Sequence, residues 1–370
     1  MDLTHRVTSL LNSAGIAVNG SNPWDIQIHD KRLYTRVARG GTLGLGEGYM
    51  DGWWDVPAID QFFDKVLVSG VYQKVLPKWQ EVSMSLLHSF YNHQSKARAQ
   101  IVGERHYDIG NDLYERMLDK RMVYTCGYWK NAATLDEAQE AKLELVCRKL
   151  NLQKGQKVLD IGCGWGSFAK FAAERYGVSV VGITISKEQA ILARELCKGL
   201  PVEIKVEDYR SLTDEFDHIV SLGMFEHVGY KNYRTYMEVV RRCLKPDGLF
   251  LLHTIGGNFS TKITDAWIDR YIFPNGMLPS VTQVGASIEN LFVMEDWHSF
   301  GTDYDKTLMA WHANFTRAWP ELEQHYSPRF KRMWDYYLLS CAGSFRSRLN
   351  QLWQVVLSPS GVRGGYHSIR

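Results

Sequence analysis

The alternation of apolar and polar residues predicts that the chain begins with a small, mainly helical domain. Residues 3–14 place four apolar side chains on one helical face, namely Leu3, Val7, Leu10 and Leu11. Gly15 follows as a C-terminal stop. The string WDIQIHD alternates like a short strand, and an apolar helical stretch begins at Ile59. We assign residues 1–90 to this domain.

A less periodic segment separates this domain from the rest of the chain. Residues 91–118 show little apolar periodicity, and we predict a linker that becomes a helix near Gly110–Leu118. Thr134 and Glu137 have the spacing of a capping box, which predicts a helix that begins there and continues to Leu150. The second predicted domain covers residues 119–370.

Strands and helices alternate through this second domain. Apolar runs typical of strands are KVLDI, VSVVGITI, VEIKV, FDHIVS and LFLLHTI, and LWQVVL is predicted to be the last strand. The intervening helices are predicted at Ser167–Tyr176, Lys187–Lys198 and Asn232–Leu244. Such βαβ alternation favours a parallel sheet with right-handed crossovers and helices on both faces.

Composition and charge exclude several classes of protein. The 370 residues are 45% hydrophobic and 23% charged, which is typical of a globular protein. The net charge of +2 neither demands nor excludes a nucleic-acid or membrane partner, and we expect no nucleic-acid partner. Six cysteines without a Cys-x-x-Cys pair argue against a zinc site or a disulfide framework and for reduced thiols in the cytoplasm. No apolar run reaches the roughly 18 residues of a membrane-spanning helix. We therefore expect a cytoplasmic protein, at most peripheral to the membrane.

The strongest local motif is the glycine-rich string VLDIGCGWG. A buried strand ends at Asp160, and Gly162, Gly164 and Gly166 let the backbone turn tightly and approach a ligand. The Gly-x-Gly-x-Gly spacing differs from the Gly-x-Gly-x-x-Gly of dinucleotide sites, where a pyrophosphate needs the helix N-terminus. The motif therefore favours S-adenosylmethionine (SAM), which carries no phosphate.

Later motifs follow in the order expected of a class I SAM-dependent methyltransferase. They are Asp208 after VEIKV, the strand FDHIVS and the turn KPDG. We predict this Rossmann-like α/β fold for the catalytic domain. The second strand lacks the terminal acid that commonly holds the ribose, so Thr184, Ser186 and Gln189 are the candidate polar contacts there. Their alternative role is to cap the following helix.

Two further features each have an alternative interpretation. Gly44, Gly46 and Gly48 suggest a phosphate loop, but close packing is favoured because no clear strand precedes them. Residues 325–370 contain seven Lys or Arg and one acid, interleaved with Phe330, Trp334, Tyr336, Tyr337 and Trp353. This segment fits either a surface that contacts anionic lipid headgroups or a buried aromatic helix with a solvated basic edge.

Nearly the whole chain, from about Leu10 to about Leu357, resembles the bacterial cyclopropane-fatty-acyl-phospholipid synthases and the related mycolic acid cyclopropane synthases. The strings that carry the resemblance are LGLGEGYMDGWWD, HYDIGNDLYERML, VLDIGCGWG, VVGITISKEQ, GMFEHVG, LLHTIG, YIFPNGMLPS, FVMEDWHSFGTDYDKTLMAW and CAGSFR. The resemblance implies methylene transfer from SAM across a cis double bond of an acyl chain in a membrane phospholipid.

That chemistry needs a stabilised cation and a base that SAM does not methylate. Aromatic faces meet the first requirement by cation–π attraction. Oxygen bases suit the second, and Glu226 and His253 fall at the carboxyl ends of the predicted fourth and fifth strands. The alternative for His253 is a core histidine with satisfied hydrogen bonds.

The resemblance also implies how the proton is removed. In the family, a bound bicarbonate takes the proton, held by residues that match Glu226, His253, Tyr304, Cys126 and Ile255 here. Cys126 and Ile255 are expected to act mainly through backbone groups. Cys341 matches a cysteine regarded in the family as a candidate nucleophile, but a packing role is favoured because the mechanism needs no covalent enzyme intermediate.

For SAM, the resemblance adds Tyr124 and Thr125 to Asp160, the glycine loop, Thr184, Ser186, Gln189 and Asp208, with Tyr209 beside it. No metal is expected. Two other functions remain open. One is a related lipid or small-molecule C-methyltransferase that leaves a branched methyl group, and the other is a lipid-binding module with an inactive SAM fold. The sequence also leaves a homodimer open.

Overall fold

A computed structural model describes residues 3–72 and 110–370, so residues 73–109, with most of the predicted linker, lie outside the described residues. The chain forms two compact units. The first comprises Met1–Tyr91, Lys262–Pro274 and Tyr304–Asn350, and the second comprises Asn92–Thr261, Asn275–Asp303 and Gln351–Arg370. The units are thus discontinuous along the chain, whereas the sequence analysis predicted continuous domains at 1–90 and 119–370.

The described part of the first unit is mainly helical. Its elements are α1 (Leu3–Ser13), β1 (Gln27–Ile28), α2 (Arg32–Met50), β2 (Trp54–Asp55), α3 (Ile59–Val68), α9 (Ala266–Tyr271), α11 (Thr302–Leu322, whose first two residues belong to the second unit) and α12 (Pro328–Arg346). Helix α12 packs against α2 and α3, and α9 packs against α2. Two segments distant in sequence therefore complete the core of the N-terminal unit.

The second unit carries the predicted alternation of strands and helices. Its elements are α4 (Asn111–Met117), α5 (Leu135–Lys149), β3 (Lys157–Ile161), α6 (Ser167–Tyr176), β4 (Ser179–Thr184), α7 (Lys187–Leu196), β5 (Val202–Val206), β6 (Phe216–Leu222), α8 (Tyr233–Cys243), β7 (Leu244–Gly257), α10 (Val281–Ile288), β8 (Val293–Ser299) and β9 (Asn350–Ser358). The Thr134–Glu137 capping box is present at the start of α5, as predicted.

The seven strands β3 to β9 form one sheet in the order β5-β4-β3-β6-β7-β9-β8. Strands β3 to β7 pair in parallel, and β8 and β9 pair antiparallel. After β5 the chain returns to the other side of β3, so the strand order reverses between β3 and β6. Ligands in such sheets bind beyond the carboxyl ends of the strands at this reversal.

One local prediction needs correction, and another is supported. The turn predicted at KPDG lies within β7, whose pairing with β6 shifts register between Phe216 and His218. The glycine string from Gly44 to Gly48 lies within helix α2. A Cβ on Gly46 would come within 2.4 Å of the Trp267 ring, so this glycine serves the close packing that the sequence analysis favoured.

The basic C-terminal segment is not a free cationic surface. Five of its seven cations form ion pairs with acidic residues: Arg329 with Asp51, Lys331 with Asp335, Arg332 with Asp55, Arg346 with Asp60 and Asp305, and Arg370 with Asp296. Trp334, Tyr336, Tyr337 and Trp353 are buried. This arrangement favours the alternative, a buried aromatic helix with a solvated basic edge, and contact of this segment with lipid headgroups stays a prediction.

Among residues 3–72 and 110–370, no helix combines the length and the apolar character that crossing a membrane requires.

Candidate active site

The carboxyl ends of β3, β6 and β7 bring three predicted site residues to one edge of the sheet. Asp160 lies near the end of β3, paired with Val220 of β6. His253 pairs with Leu222 at the end of β6, and Glu226 lies in the short 3₁₀ turn that follows. Since β3 and β6 flank the strand-order reversal, the edge is where this fold binds ligands.

The glycine loop after β3 passes close to the segment that leads to Glu226. Gly162 and Gly164 have φ of +83° and +54°, where a side chain is strained. A Cβ on Gly162 would lie 2.8 Å from the Met224 side chain, so this glycine lets the two segments meet. A Cβ on Gly164 would meet no atom within 4 Å. Gly164 therefore faces open space, as predicted for a ligand-binding glycine.

Asp160 provides a buried carboxyl group at the end of β3, just before this loop. Its side chain is 1% exposed, and its Oδ2 has no hydrogen-bond partner. Burial raises the pKa of Asp160 to about 7, against the opposing effect of the nearby Lys142 ammonium. SAM carries an ammonium and a sulfonium, which an ionised carboxylate stabilises. The open space at Gly164 and the unpartnered Asp160 oxygen thus fit SAM.

Thr184, Ser186 and Gln189 form the start of helix α7. The Ser186 hydroxyl accepts a hydrogen bond from the Gln189 N–H at 3.2 Å, which is an N-cap. The Thr184 hydroxyl donates to Gln189 Oε1 at 2.9 Å. The alternative capping role is therefore present, and contact of these residues with SAM stays a prediction.

Asp208 and Tyr209 lie in the 3₁₀ turn after β5. Asp208 caps this turn by accepting the Arg210 N–H at 2.9 Å, and it also forms an ion pair with the Arg210 guanidinium. Tyr209 is buried against the edge of the Tyr236 ring. These contacts fix both residues, and their predicted contact with SAM stays a prediction.

Glu226 is held by the backbone of β7. The Ile255 N–H donates to Glu226 Oε1 at 2.6 Å, whereas Glu226 Oε2 is buried without a hydrogen-bond partner. Ile255 therefore acts through its backbone, but its N–H is engaged by Glu226. One carboxylate oxygen is fixed, and the other is left for a ligand.

Gln354 of β9 orients the imidazole of His253. Gln354 Nε2 lies 3.3 Å from His253 Nδ1, and His253 Nε2 is buried without a partner. An amide nitrogen only donates, so Nδ1 accepts and the ring proton is assigned to Nε2. His253 Nε2 is thus left without a partner in the protein, unlike a core histidine with satisfied hydrogen bonds.

Burial shifts the pKa of both residues toward the neutral form. It raises the pKa of Glu226 to about 7, although the Ile255 hydrogen bond opposes this rise. Burial, with the positive charges of Lys142 and Lys149, lowers the pKa of His253 well below its usual value. His253 is therefore neutral at physiological pH, and Glu226 keeps its proton to a higher pH than an exposed glutamate does.

The Tyr124–Cys126 segment packs on the same edge of the sheet. The Thr125 methyl lies 2.6 Å from where a Cβ on Gly223 would be, and the Gly223 N–H donates to the His253 carbonyl at 2.9 Å. The Tyr124 ring contacts Tyr114, and Cys126 is buried. The structure thus brings this predicted segment to the end of β6.

Sequence analysis missed the residues that support this segment. Gln139 and Lys142 of α5 are fully buried and donate hydrogen bonds to Thr125, and Gln354 of β9 was also missed. A signal was available, because Gln139 and Lys142 interrupt the apolar stripe of α5 at helical spacing. Polar residues within such a stripe point to buried partners.

Tyr304 and Cys341 belong to the first unit. Tyr304 is buried and stacks on Phe345, with ring centroids 4.5 Å apart. Its role toward bicarbonate stays a prediction. Burial raises the pKa of Cys341 to about 12, so its thiol is protonated at neutral pH. This favours the packing role over the nucleophilic one.

The raised pKa of Glu226 predicts a pH-dependent stability. Burial favours its protonated form, so this contribution to stability is present below about pH 4.5 and is lost as the pH rises through about 7. We expect Glu226→Gln, measured by urea unfolding without SAM, to be more stable than wild type by about 2–3 kcal/mol at pH 8. The gain should fall below about 1 kcal/mol at pH 5. If Glu226→Gln were stabilised equally at pH 5 and pH 8, the gain would not come from ionisation of the buried Glu226 carboxyl.

Comparison with known proteins identifies the family. The family model described as "Mycolic acid cyclopropane synthetase" matches residues 93–355. The chain belongs to this family of cyclopropane synthases. It is 56% identical to the "Cyclopropane-fatty-acyl-phospholipid synthase" of Escherichia coli (strain K12), over 98% of this chain and 94% of the relative.

Members from Mycobacterium tuberculosis match the catalytic part. "Cyclopropane mycolic acid synthase 1" (strain H37Rv) is 34% identical over 66% of this chain and 91% of its own. The crystal structure of mycolic acid cyclopropane synthase CmaA1 complexed with SAH and CTAB matches with a TM-score of 0.65 and 32% identity, covering 70% of this chain and 97% of that chain. The class I methyltransferase fold is confirmed, and the protein is a SAM-dependent methyltransferase.

Proposed function

We propose that the enzyme transfers a methylene group from SAM to the cis double bond of unsaturated acyl chains in membrane phospholipids. The observation that carries the proposal is the pair of buried, unpartnered groups, Glu226 Oε2 and His253 Nε2, at the edge that also holds the glycine loop. Identity of 56% to the Escherichia coli enzyme along nearly its whole length supports the same substrate.

SAM supplies an electrophilic methyl group when bound. The chain's own residues must then accept the proton that leaves as the ring closes. A carboxylate beside SAM is open to methylation, and a neutral histidine is nucleophilic, so a small oxyanion held between Glu226 and His253 is the better acceptor. Bicarbonate meets this need, since its O–H donates to Glu226 and its oxygens accept from His253.

The structure supports this assignment through the two unpartnered atoms. Glu226 Oε2 accepts when ionised, and the assigned Nε2–H of His253 donates. The Tyr304 hydroxyl and the Cys126 N–H are the proposed further donors. The Ile255 N–H, which the resemblance assigned to the ion, contributes by fixing Glu226.

The test uses the enzyme, SAM and vesicles of unsaturated phospholipid, with acyl chains analysed by mass and by olefinic proton resonances. Cyclopropanation adds one CH₂ unit and removes the olefinic signal. An added CH₂ with a retained double bond indicates an exomethylene product, and a methyl branch indicates the alternative C-methyltransferase. An inactive lipid-binding module would consume no SAM.

We also propose that the enzyme contacts the membrane surface peripherally. Phe259 and Val281 are 66% and 55% exposed. They adjoin Ser260 and Ser280, whose hydroxyls form a 2.7 Å hydrogen bond just beyond the carboxyl end of β7. Exposed apolar side chains beside the edge that must receive an acyl chain suit a lipid surface. We further propose that the N-terminal domain predicted at residues 1–90 is a second region that engages lipid.

We expect Phe259→Asp to weaken binding to phosphatidylethanolamine and phosphatidylglycerol vesicles at least about fivefold, because a ring buried among lipids is worth roughly 1.5–3 kcal/mol. Flotation at several lipid concentrations measures this. Ile191→Asp is the control, since Ile191 is 60% exposed on α7 of the same unit. If Phe259→Asp and Ile191→Asp bind vesicles equally well, the surface at Phe259 and Val281 does not contact the membrane.

A further inference from the structure

Helix α5 buries polar side chains that the proposed reaction does not use. Gln139 and Lys142, three residues apart on one face, are both 0% exposed. Burying a lysine is costly unless its ammonium is hydrogen-bonded or paired with an opposite charge. The partners of these two side chains therefore deserve a functional explanation.

Both side chains hold the same residue of the site. Gln139 Nε2 donates to the Thr125 carbonyl at 2.7 Å, and Lys142 Nζ donates to the Thr125 hydroxyl at 2.9 Å. The Thr125 carbonyl and the Cys126 N–H belong to one planar peptide group. In a trans peptide these two groups point in opposite directions. Holding the carbonyl toward α5 therefore turns the Cys126 N–H away from it.

We infer that Gln139 and Lys142 are positioning residues, which fix the Thr125–Cys126 peptide so that its N–H faces the anion. This inference rests on the proposed bicarbonate route, in which the Cys126 N–H is a donor. Gln139 fixes the plane of this peptide through the Thr125 carbonyl. Lys142 fixes the Thr125 side chain through its hydroxyl.

The surroundings of Lys142 agree with a fixed ammonium. Burial lowers its pKa to about 8, while the negative charges of Asp119 and Asp160 act against the decrease. Asp119 itself accepts the Val123 N–H at 2.8 Å, so it orders the backbone that enters the segment. Helix α5 and the loop that contains Asp119 thus both fix the Tyr124–Cys126 segment.

The experiment measures methylene transfer against bicarbonate concentration in depleted buffer. Gln139→Met and Lys142→Met should each raise the half-saturating bicarbonate concentration at least about fivefold. Rates at saturating bicarbonate should recover toward wild type. The SAM dissociation constant of Gln139→Met should change less than about threefold, since its lost hydrogen bond affects the anion donor.

Glu144→Gln is the control, because Glu144 lies on the same helix and its carboxylate accepts a hydrogen bond from the Tyr176 hydroxyl at 2.8 Å, outside the site. Its half-saturating concentration should match wild type. If Gln139→Met does not fold, Gln139→Leu, which also lacks a donor, should show the same increase.

Two results overturn the inference and are distinguishable. If wild-type turnover depends on bicarbonate but the Gln139 and Lys142 variants keep the wild-type half-saturating concentration, the positioning role fails and the proposed function stands. If wild-type turnover is independent of bicarbonate, the proposed proton route fails, and the positioning role fails with it.

Discussion

Valine in place of Gly164 is expected to abolish SAM binding while the protein stays folded. The Cβ of this residue would point into open space at the proposed cofactor site, so the valine would occupy volume that SAM needs. The backbone, at φ of +54°, adds strain of about 1–2 kcal/mol, which is too small to unfold an ordinary domain. Calorimetric titration with SAM measures the loss.

Gly155→Val is the matched control for this prediction. Gly155 has φ of +87° and, like Gly164, would bring a Cβ to within 4 Å of no atom, but it lies in the turn before β3. The control carries similar strain and should bind SAM as wild type does. Unchanged SAM affinity in Gly164→Val would remove this loop from the cofactor site.

Removing the groups proposed to hold the anion should reduce turnover far more than SAM affinity. We expect Glu226→Ala, His253→Ala and Tyr304→Phe each to lower turnover at least tenfold, or about 1.4 kcal/mol of barrier. Their contacts serve proton removal, which belongs to the chemical step, so SAM affinity should change little. Steady-state kinetics with vesicle substrate and SAM titration separate the two effects.

Two control variants distinguish effects on the proposed anion site from the general effect of removing a polar side chain. His218→Ala removes another buried histidine of the sheet, one that accepts from the Leu249 N–H at 3.2 Å. Tyr176→Phe removes a hydroxyl that donates to Glu144 at 2.8 Å, outside the site. Both should keep turnover within about threefold of wild type. If the control variants lose as much turnover as the site variants, the loss reflects reduced stability of the protein and not damage to the site.

Bicarbonate depletion tests the same proposal without mutation. Turnover of wild type should fall in rigorously depleted buffer and return when bicarbonate is added. Glu226→Ala should respond weakly, because the residue that accepts the bicarbonate O–H is gone. Full wild-type turnover without bicarbonate would show that the proton leaves by another route.

Local sequence patterns predicted much of the catalytic unit. Helix α6 has the predicted bounds, and α7 ends two residues before its predicted end at Lys198. The capping box at Thr134 and the glycine loop after β3 also lie where predicted. These features depend on residues within about four positions of each other, so a short stretch of sequence contains the whole interaction.

The placement of Glu226 and His253 also followed from sequence, through a general rule. Parallel strands expose their carboxyl ends at one edge, so residues that follow two such strands meet there without any knowledge of side-chain contacts. Their protonation states did not follow. The pKa values depend on burial and, for His253, also on the charges of Lys142 and Lys149, which lie on a helix far away in sequence.

By itself, the sequence determined the alternation of strands and helices, the glycine loop after β3 and the sheet edge at which Glu226 and His253 lie. Only the tertiary structure decided which residues share a compact unit, because residues 262–274 and 304–350 pack with the N-terminal helices across long sequence separations. It also paired the C-terminal cations with acids and buried Gln139 and Lys142 against Thr125. Charge pairing and burial depend on distances in space, and local periodicity contains no information about those distances.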